Sequence, residues 1–187
     1  SQFEALLKRR SLGEPVAYLL GEKEFWSLAL HVTPAVLVPR PETEILIETV
    51  LAATARDSQL EVLDLGTGSG AIALALALER PHWRVTATDP DAAAIAIARG
   101  NAARLGLCSA GAQARPERIE FITGEWFEPL GERRFDFIVS NPPYIAAGDP
   151  VLATPDLTFE PQAALVAGPT GIEALARIAA RAPGHLT

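Results

Sequence analysis

The spacing of apolar and polar residues changes along the chain, and each change marks an element. Residues 1–10 set Leu6 and Leu7 beside basic positions and read as the end of a helix, followed by a turn-rich stretch from Ser11 to Pro15. Residues 24–33, EFWSLALHVT, are rich in aromatic and β-branched positions and predict a short hairpin. Leu46, Ile47, Val50 and Leu51 then fall at i, i+3, i+4 spacing, which predicts a helix over about 42–55. Pro39 and Pro41 stand where a missing N–H costs little, and Glu42 and Glu44 suit the positive end of the helix dipole.

From residue 61 strand, turn and helix alternate. EVLDL (61–65) runs through a glycine turn into AIALALALER, which closes before Pro81; RVTAT (84–88) runs through Pro90 into a helix closing near Gly106. Within the first of these helices Ile72, Leu74, Leu76 and Leu78 alternate with a period of two, as a strand would. The intervening alanines and the position between two strands favour a buried helix. Two more apolar strands, IEFIT (119–123) and FDFIV (135–139), precede a Pro-rich loop at Asn141, and a last helix spans roughly 171–182. Four strands joined by crossovers predict an α/β fold: an open, mostly parallel twisted sheet with helices on both faces and ligands bound at the strands' C-terminal ends. The closing residues Pro183 to Thr187 are turn-like and predict a sheet that continues, and the lack of any Met predicts a fragment or a processed chain.

Composition narrows the class. The length of 187 residues suits one medium domain, and 49% hydrophobic with 21% charged residues suits an ordinary globular core. With 16 Lys+Arg against 23 Asp+Glu, the net charge of −7 argues against an extended phosphate-binding surface. The longest apolar run, Ala71 to Leu78, is far short of the roughly 18 residues a membrane span needs. The start, SQFEALLKRR, lacks the apolar core and cleavage site of a secretory signal. Cys108 is alone, and His31, His82 and His185 lack ligand spacing, so neither a disulfide nor a metal site is expected.

Chemistry concentrates at two strand ends. Gly66, Thr67, Gly68, Ser69 and Gly70 make the turn out of EVLDL, and the three glycines let the backbone approach a ligand closely. Asp89 follows 23 residues after Gly66 at the end of the next strand, placed to accept from both hydroxyls of a ribose. Together they imply a nucleotide-like cofactor. The loop alone also reads as a glycine turn that packs a helix close to a strand, and Gly66, Gly68 and Ala71 satisfy the dinucleotide fingerprint, which leaves NAD open.

Asn141-Pro142-Pro143-Tyr144 follows the fourth strand and projects from the same edge of the sheet. Each proline fixes its own φ and pushes the residue before it towards extended geometry, so Asn141 and the Pro142 carbonyl are held rigidly. An amide or exocyclic amine is a poor nucleophile because its lone pair is delocalised. Two fixed acceptors, the Asn141 side-chain oxygen and the Pro142 carbonyl, can bind both N–H groups and favour a pyramidal nitrogen, while the Tyr144 ring stacks on the planar group. No strong base is needed if the electrophile is a sulfonium methyl, since the nitrogen becomes acidic once alkylated. A lone tetrapeptide reads equally well as a rigid turn with a buried Tyr. Beside the glycine loop and Asp89, it points to S-adenosylmethionine rather than NAD.

Taken in order, GEPVAYLLGEKEFW, LVPRPETEILIE, VLDLGTGSGAIALALA, the stretch around Gly124 to Phe127, SNPPYI and FEPQAALVAGPTGI make the chain resemble class I methyltransferases carrying Asn-Pro-Pro-Tyr. Specifically, it resembles the bacterial protein-(glutamine-N5) methyltransferase family of peptide chain release factors (HemK/PrmC), over nearly its whole length. The resemblance implies a Rossmann-like class I methyltransferase fold, S-adenosylmethionine as donor and S-adenosylhomocysteine as product. It also implies class-1 peptide chain release factors as protein partners, a cytoplasmic location, and no direct contact with nucleic acid or membrane. Gly66 to Gly70 and Asp89 would hold the cofactor, Trp126 would lie against the adenine, and Asn141 would bridge cofactor and substrate amide. Asn141, Pro142, Pro143 and Tyr144 would grip the glutamine, with Asn141, Pro142 and Tyr144 as the catalytic set.

Read without the family, Trp126 is a core aromatic and Glu125 a solvated loop charge. The residue before that Trp is often Asp in related enzymes, so Glu125 leaves a carboxylate contact to adenine open. Arg40, Glu42 and Glu160 look like family positions around the cleft, yet capping and solvation explain them almost as well, and they stay outside the catalytic set. The family's larger helical N-terminal domain makes residues 1–20 its expected end or linker and 21–187 the methyltransferase domain, which the family's three further strands make C-terminally truncated. The alternative is an adenine-N6 methyltransferase acting on DNA or RNA, whose flipped base would meet the same loop; the net charge and the lack of a Lys/Arg-rich segment weigh against it. A non-catalytic or NAD-dependent nucleotide-binding module comes third and leaves Asn141 to Tyr144 without a purpose.

Overall fold

The computed structural model describes residues 1–107 and 118–187; Cys108, and the expectation attached to it, lie outside them. The chain opens with helix α1 (Gln2–Ser11), started by a capping box between Ser1 and Glu4 and ended by Lys8, Arg9 and Arg10, which suit the helix's negative end. None of its residues is buried, and Phe3 and Leu7 face solvent. A short helix α2 (Val16–Leu20) leads into the hairpin of β1 (Glu22–Phe25) and β2 (Leu28–His31). The expected hairpin is present but begins two residues earlier, because Gly21 in a left-handed conformation ends α2 and releases the chain directly into β1. Helix α3 (Glu44–Ala52) follows a single 3-10 turn at Pro41–Thr43 and is shorter than 42–55 at both ends.

The alternating region folds as expected. It comprises β3 (Glu61–Leu65), α4 (Ala71–Glu79), β4 (Arg84–Asp89), α5 (Ala92–Arg104), β5 (Ile119–Thr123) and β6 (Phe137–Ser140). The four strands form one parallel sheet in the order β5-β4-β3-β6. Strand β3 therefore lies inside the sheet, and its side chains alternate between two cores. Val62 joins Ile47, Ile72, Leu76, Val85 and Phe121 on the face covered by α3, α4 and α5; Leu63 and Leu65 join Phe127, Leu130 and Phe135 on the other, which Ile178 covers. The period-two pattern of α4 misleads because residues 71–77 are all buried, so no side of that helix has to be polar. Asp91 caps α5 by accepting from Ala93 N–H, and Gly106 at φ +70° closes it.

The strand expected at 135–139 is displaced to 137–140. Phe135 pairs instead with Leu186 in a parallel bridge, and Asp136 N–H bonds to the Glu61 carbonyl at 2.8 Å. After β6 comes a pair too short for periodicity to show, β7 (Ile145–Ala146) and β8 (Val166–Gly168), with the four-residue helix α6 (Gln162–Leu165) just before β8. Helix α7 (Glu173–Arg181) matches the expected last helix, and its final turn tightens to 3-10 over Ala182–His185. No helix among the described residues is long and apolar enough to cross a membrane.

Candidate active site

The parallel sheet brings the C-terminal ends of β3, β4 and β6 to one edge, and a cleft opens there. It is lined by Gly66, Thr67, Gly68 and Ser69 after β3, by Asp89 at the end of β4, by Trp126 after β5, and by Asn141, Pro142 and Pro143 after β6. Two of the expected residues stand outside it. Gly70 faces the interior, where an added Cβ would lie 3.2 Å from the Ala98 Cβ and 3.0 Å from Leu74. Tyr144 is 61% exposed at the rim.

Backbone bonds hold the glycine loop. Gly66 and Thr67 N–H both donate to the Thr88 carbonyl, at 2.9 and 3.0 Å, clamping the loop onto the end of β4. Gly66, Gly68 and Gly70 have φ of +72°, +55° and +85°, a region where any other residue would be strained. A Cβ on Gly68 would meet nothing within 4 Å, so the loop leaves open space in front of its backbone. Asp89 faces that space. Its Oδ2 accepts from Gly68 N–H and its Oδ1 from Asp91 N–H, both at 2.9 Å, which fixes the carboxylate and leaves each oxygen a lone pair for a further donor. Burial raises the Asp89 carboxyl above its ordinary value, against those two N–H bonds.

Trp126 is half-buried, and a Cβ on Gly66 would come within 3.5 Å of its ring. Its backbone sits at φ +49°, and its carbonyl accepts from the Thr88 hydroxyl at 3.2 Å. The flat ring and Asp89 thus face one cleft whose third side is backbone, a donor set that fits a nucleoside carrying a polar tail. Glu125 turns away to an ion pair with Arg177 at 2.7 Å.

On the β6 side, the Ser140 hydroxyl donates to the Leu65 carbonyl at 2.8 Å and ties the start of the Asn-Pro-Pro-Tyr loop to β3. Asn141 Nδ2 donates to the Thr43 hydroxyl at 3.3 Å, leaving Oδ1 as an acceptor. Pro142 is buried, and Asn141 and Pro143 are half-buried. The far end of the loop is carried by the β7–β8 pairing and rests on Gly171, where an added Cβ would lie 2.8 Å from the Tyr144 carbonyl.

Several residues that shape the cleft lie outside the expected site set. Thr43, Val36 and Pro39 line it from the segment before α3, and Pro161, Ala163 and Ala164 from the segment before β8. Glu160, with 1% of its side chain exposed, joins these two walls by pairing with Arg40 and accepting Val38 N–H at 3.1 Å. Glu42 is exposed and lines nothing. Asp64 is fully buried under the loop; its Oδ2 accepts from the Thr67 hydroxyl at 2.7 Å, and Oδ1 has no partner among the described residues. Burial pushes its carboxyl up to about 7, a rise the Thr67 hydroxyl only partly opposes. Among the described residues no group of three or more His, Cys, Asp or Glu is placed to hold a metal ion.

A family profile described as "Methyltransferase small domain" matches residues 41–166. The chain is 52% identical over 185 residues to a release factor glutamine methyltransferase of Pseudomonas aeruginosa, covering 99% of this chain and 63% of that one. It is also 52% identical over 182 residues to the protein of the same name from Bordetella pertussis, covering 97% and 64%. The chain thus spans less than two thirds of the length of these curated relatives. Among solved structures, the methyltransferase from Pyrococcus furiosus superposes with a TM-score of 0.57 at 22% identity, over 100% of this chain and 74% of that one.

Proposed function

Since the chain belongs to the methyltransferase small domain family, we propose that it transfers a methyl group from S-adenosylmethionine to the side-chain amide nitrogen of a glutamine in a peptide chain release factor. The observation that carries this reading is the placing of Asn141, Pro142 and Pro143 in the same cleft as the glycine loop and Asp89. The relatives' name supports the choice of substrate.

The loop from Gly66 to Ser69 would offer backbone to the donor's polar tail, Asp89 would receive the ribose hydroxyls, and the Trp126 ring would lie against the adenine. When bound, the donor supplies an electrophilic sulfonium methyl group. Asn141 Oδ1 and the Pro142 carbonyl accept the two N–H bonds of the glutamine amide, turn its nitrogen towards the methyl, and draw its lone pair out of conjugation. Pro142 and Pro143 keep these acceptors from relaxing, and the exposed Tyr144 ring covers the amide from the rim. Alkylation itself makes the nitrogen acidic, so the residues act by orientation rather than by taking a proton early. Residues 21–187 form the methyltransferase unit, and the site of action is the cytoplasm, where release factors work.

Incubating the protein with methyl-labelled S-adenosylmethionine, a release factor and plasmid DNA in one vessel tests the reading. Label on a release-factor glutamine is the expected result. Label confined to DNA would overturn it in favour of adenine-N6 methylation.

A further inference from the structure

Among the buried residues of α5, which are Ala94, Ile95, Ala98, Asn101 and Ala102, only Asn101 is polar. An amide at such a place costs free energy unless its donors and acceptor are matched. All are. Oδ1 accepts from His31 N–H at 2.7 Å, and Nδ2 donates to the His31 carbonyl at 3.0 Å and to the Ser69 carbonyl at 2.9 Å. Because the partners are backbone groups of fixed polarity, they decide which end of the amide is oxygen. The side chain imitates a neighbouring strand at the last residue of β2 and uses its second N–H bond to hold the glycine loop.

The carbonyl it holds lies where the loop is least able to hold itself. Ser69 stands between Gly68 and Gly70, and a peptide flanked by two glycines has little steric restraint on its rotation. One turn earlier on the same helix face, Ala98 packs against Gly70, with only 3.2 Å to an added Cβ. Small residues at 98 and 70 therefore let α5 approach closely enough for Asn101 to reach Ser69.

We infer that Asn101 is a positioning residue for the cofactor loop, fixing the Ser69 carbonyl so that Gly68 N–H stays on Asp89 and the loop presents its backbone to the donor. This rests on reading the cleft as an S-adenosylmethionine site. Asn101→Asp keeps the shape and the bond from His31 N–H but sets an anionic oxygen against two carbonyls; Asn101→Ala removes all three bonds. For each, the Kd for S-adenosylhomocysteine is measured by calorimetry at a temperature where circular dichroism shows the variant folded, alongside KM for donor and for release factor. The expected result is a Kd raised about tenfold or more, a KM for the donor that rises with it, and an unchanged KM for the release factor. Should the Asp and Ala variants not fold, Asn101→Ser, which is small and retains one hydroxyl donor, serves the same measurement. Folded variants that bind S-adenosylhomocysteine as tightly as the parent would reduce Asn101 to core packing and overturn the inference. A parent protein that binds none overturns the cofactor reading and the inference together. Affinity lost in the variants, with no methyl transfer to a release factor by the parent, would remove the substrate and uphold Asn101.

Discussion

Asn141 and Asp89 face one cleft with different duties, and single substitutions should separate them. Asn141→Ala removes an acceptor that matters as the nitrogen leaves conjugation, so kcat should fall by roughly 10²–10³ while affinity for S-adenosylhomocysteine changes little. Asp89→Ala removes a fixed carboxylate from the nucleoside side and should raise that Kd by about tenfold or more. Single-turnover rates and calorimetry on both variants check the division; equal loss of both quantities in each would contradict it. Asp64 makes a pH prediction. Its carboxyl sits near 7 in the fold against an ordinary 3.8, so between those values the unfolded chain has released a proton that the folded chain keeps. Stability should then fall as pH rises through that window, by up to about 1.4 kcal/mol per pH unit. Asp64→Asn should flatten the decline in urea unfolding at pH 5 and pH 7.

At the scale of elements, the repeating strands and helices from β3 to β5 were legible because each carries its own period and its own punctuation. Gly66 to Gly70, Pro81, Pro90 and Gly106 all fall at element ends. What depended on distant partners was not legible. Phe135 has strand character in the sequence but pairs with Leu186 instead of extending β6, and the β7–β8 pair rests on two or three residues brought together across some twenty. The same holds inside the site. The glycines, Asp89 and Asn141 announce themselves through residue type and position, whereas Thr43 and Asn101 act through contacts with partners 32 to 98 positions away. Gly70 shows a motif residue whose work is packing. The contact of Gly171 with the Asn-Pro-Pro-Tyr loop gives a prediction of its own. With φ +84° and 2.8 Å from an added Cβ to the Tyr144 carbonyl, Gly171→Ala must shift the loop's end. It should cost roughly 1–3 kcal/mol of stability and lower methyl transfer without weakening S-adenosylhomocysteine binding, as thermal melts and calorimetry together would show.

For the molecule as a whole, ligand binding and folding are linked, because the cleft is assembled from residues at or after the ends of four strands and from segments on either side of them. S-adenosylhomocysteine at a hundred times its Kd should add about 2.7 kcal/mol of stability, which for a chain of this size is a rise in Tm of about 5–10 °C. NAD should give none, and a shift with NAD alone would sink the methyltransferase reading of the cleft. The order of the sheet has a further consequence during synthesis. Strand β3 leaves the ribosome first of the four, and β4 reaches it some twenty residues later, but Asp136, which closes its other edge by accepting Glu61 N–H, lies 75 positions on. Strand β3, buried at four of its five residues, therefore waits half-paired while that length is translated. Until Ser140 has emerged, that bare edge is open to mispairing with other strands.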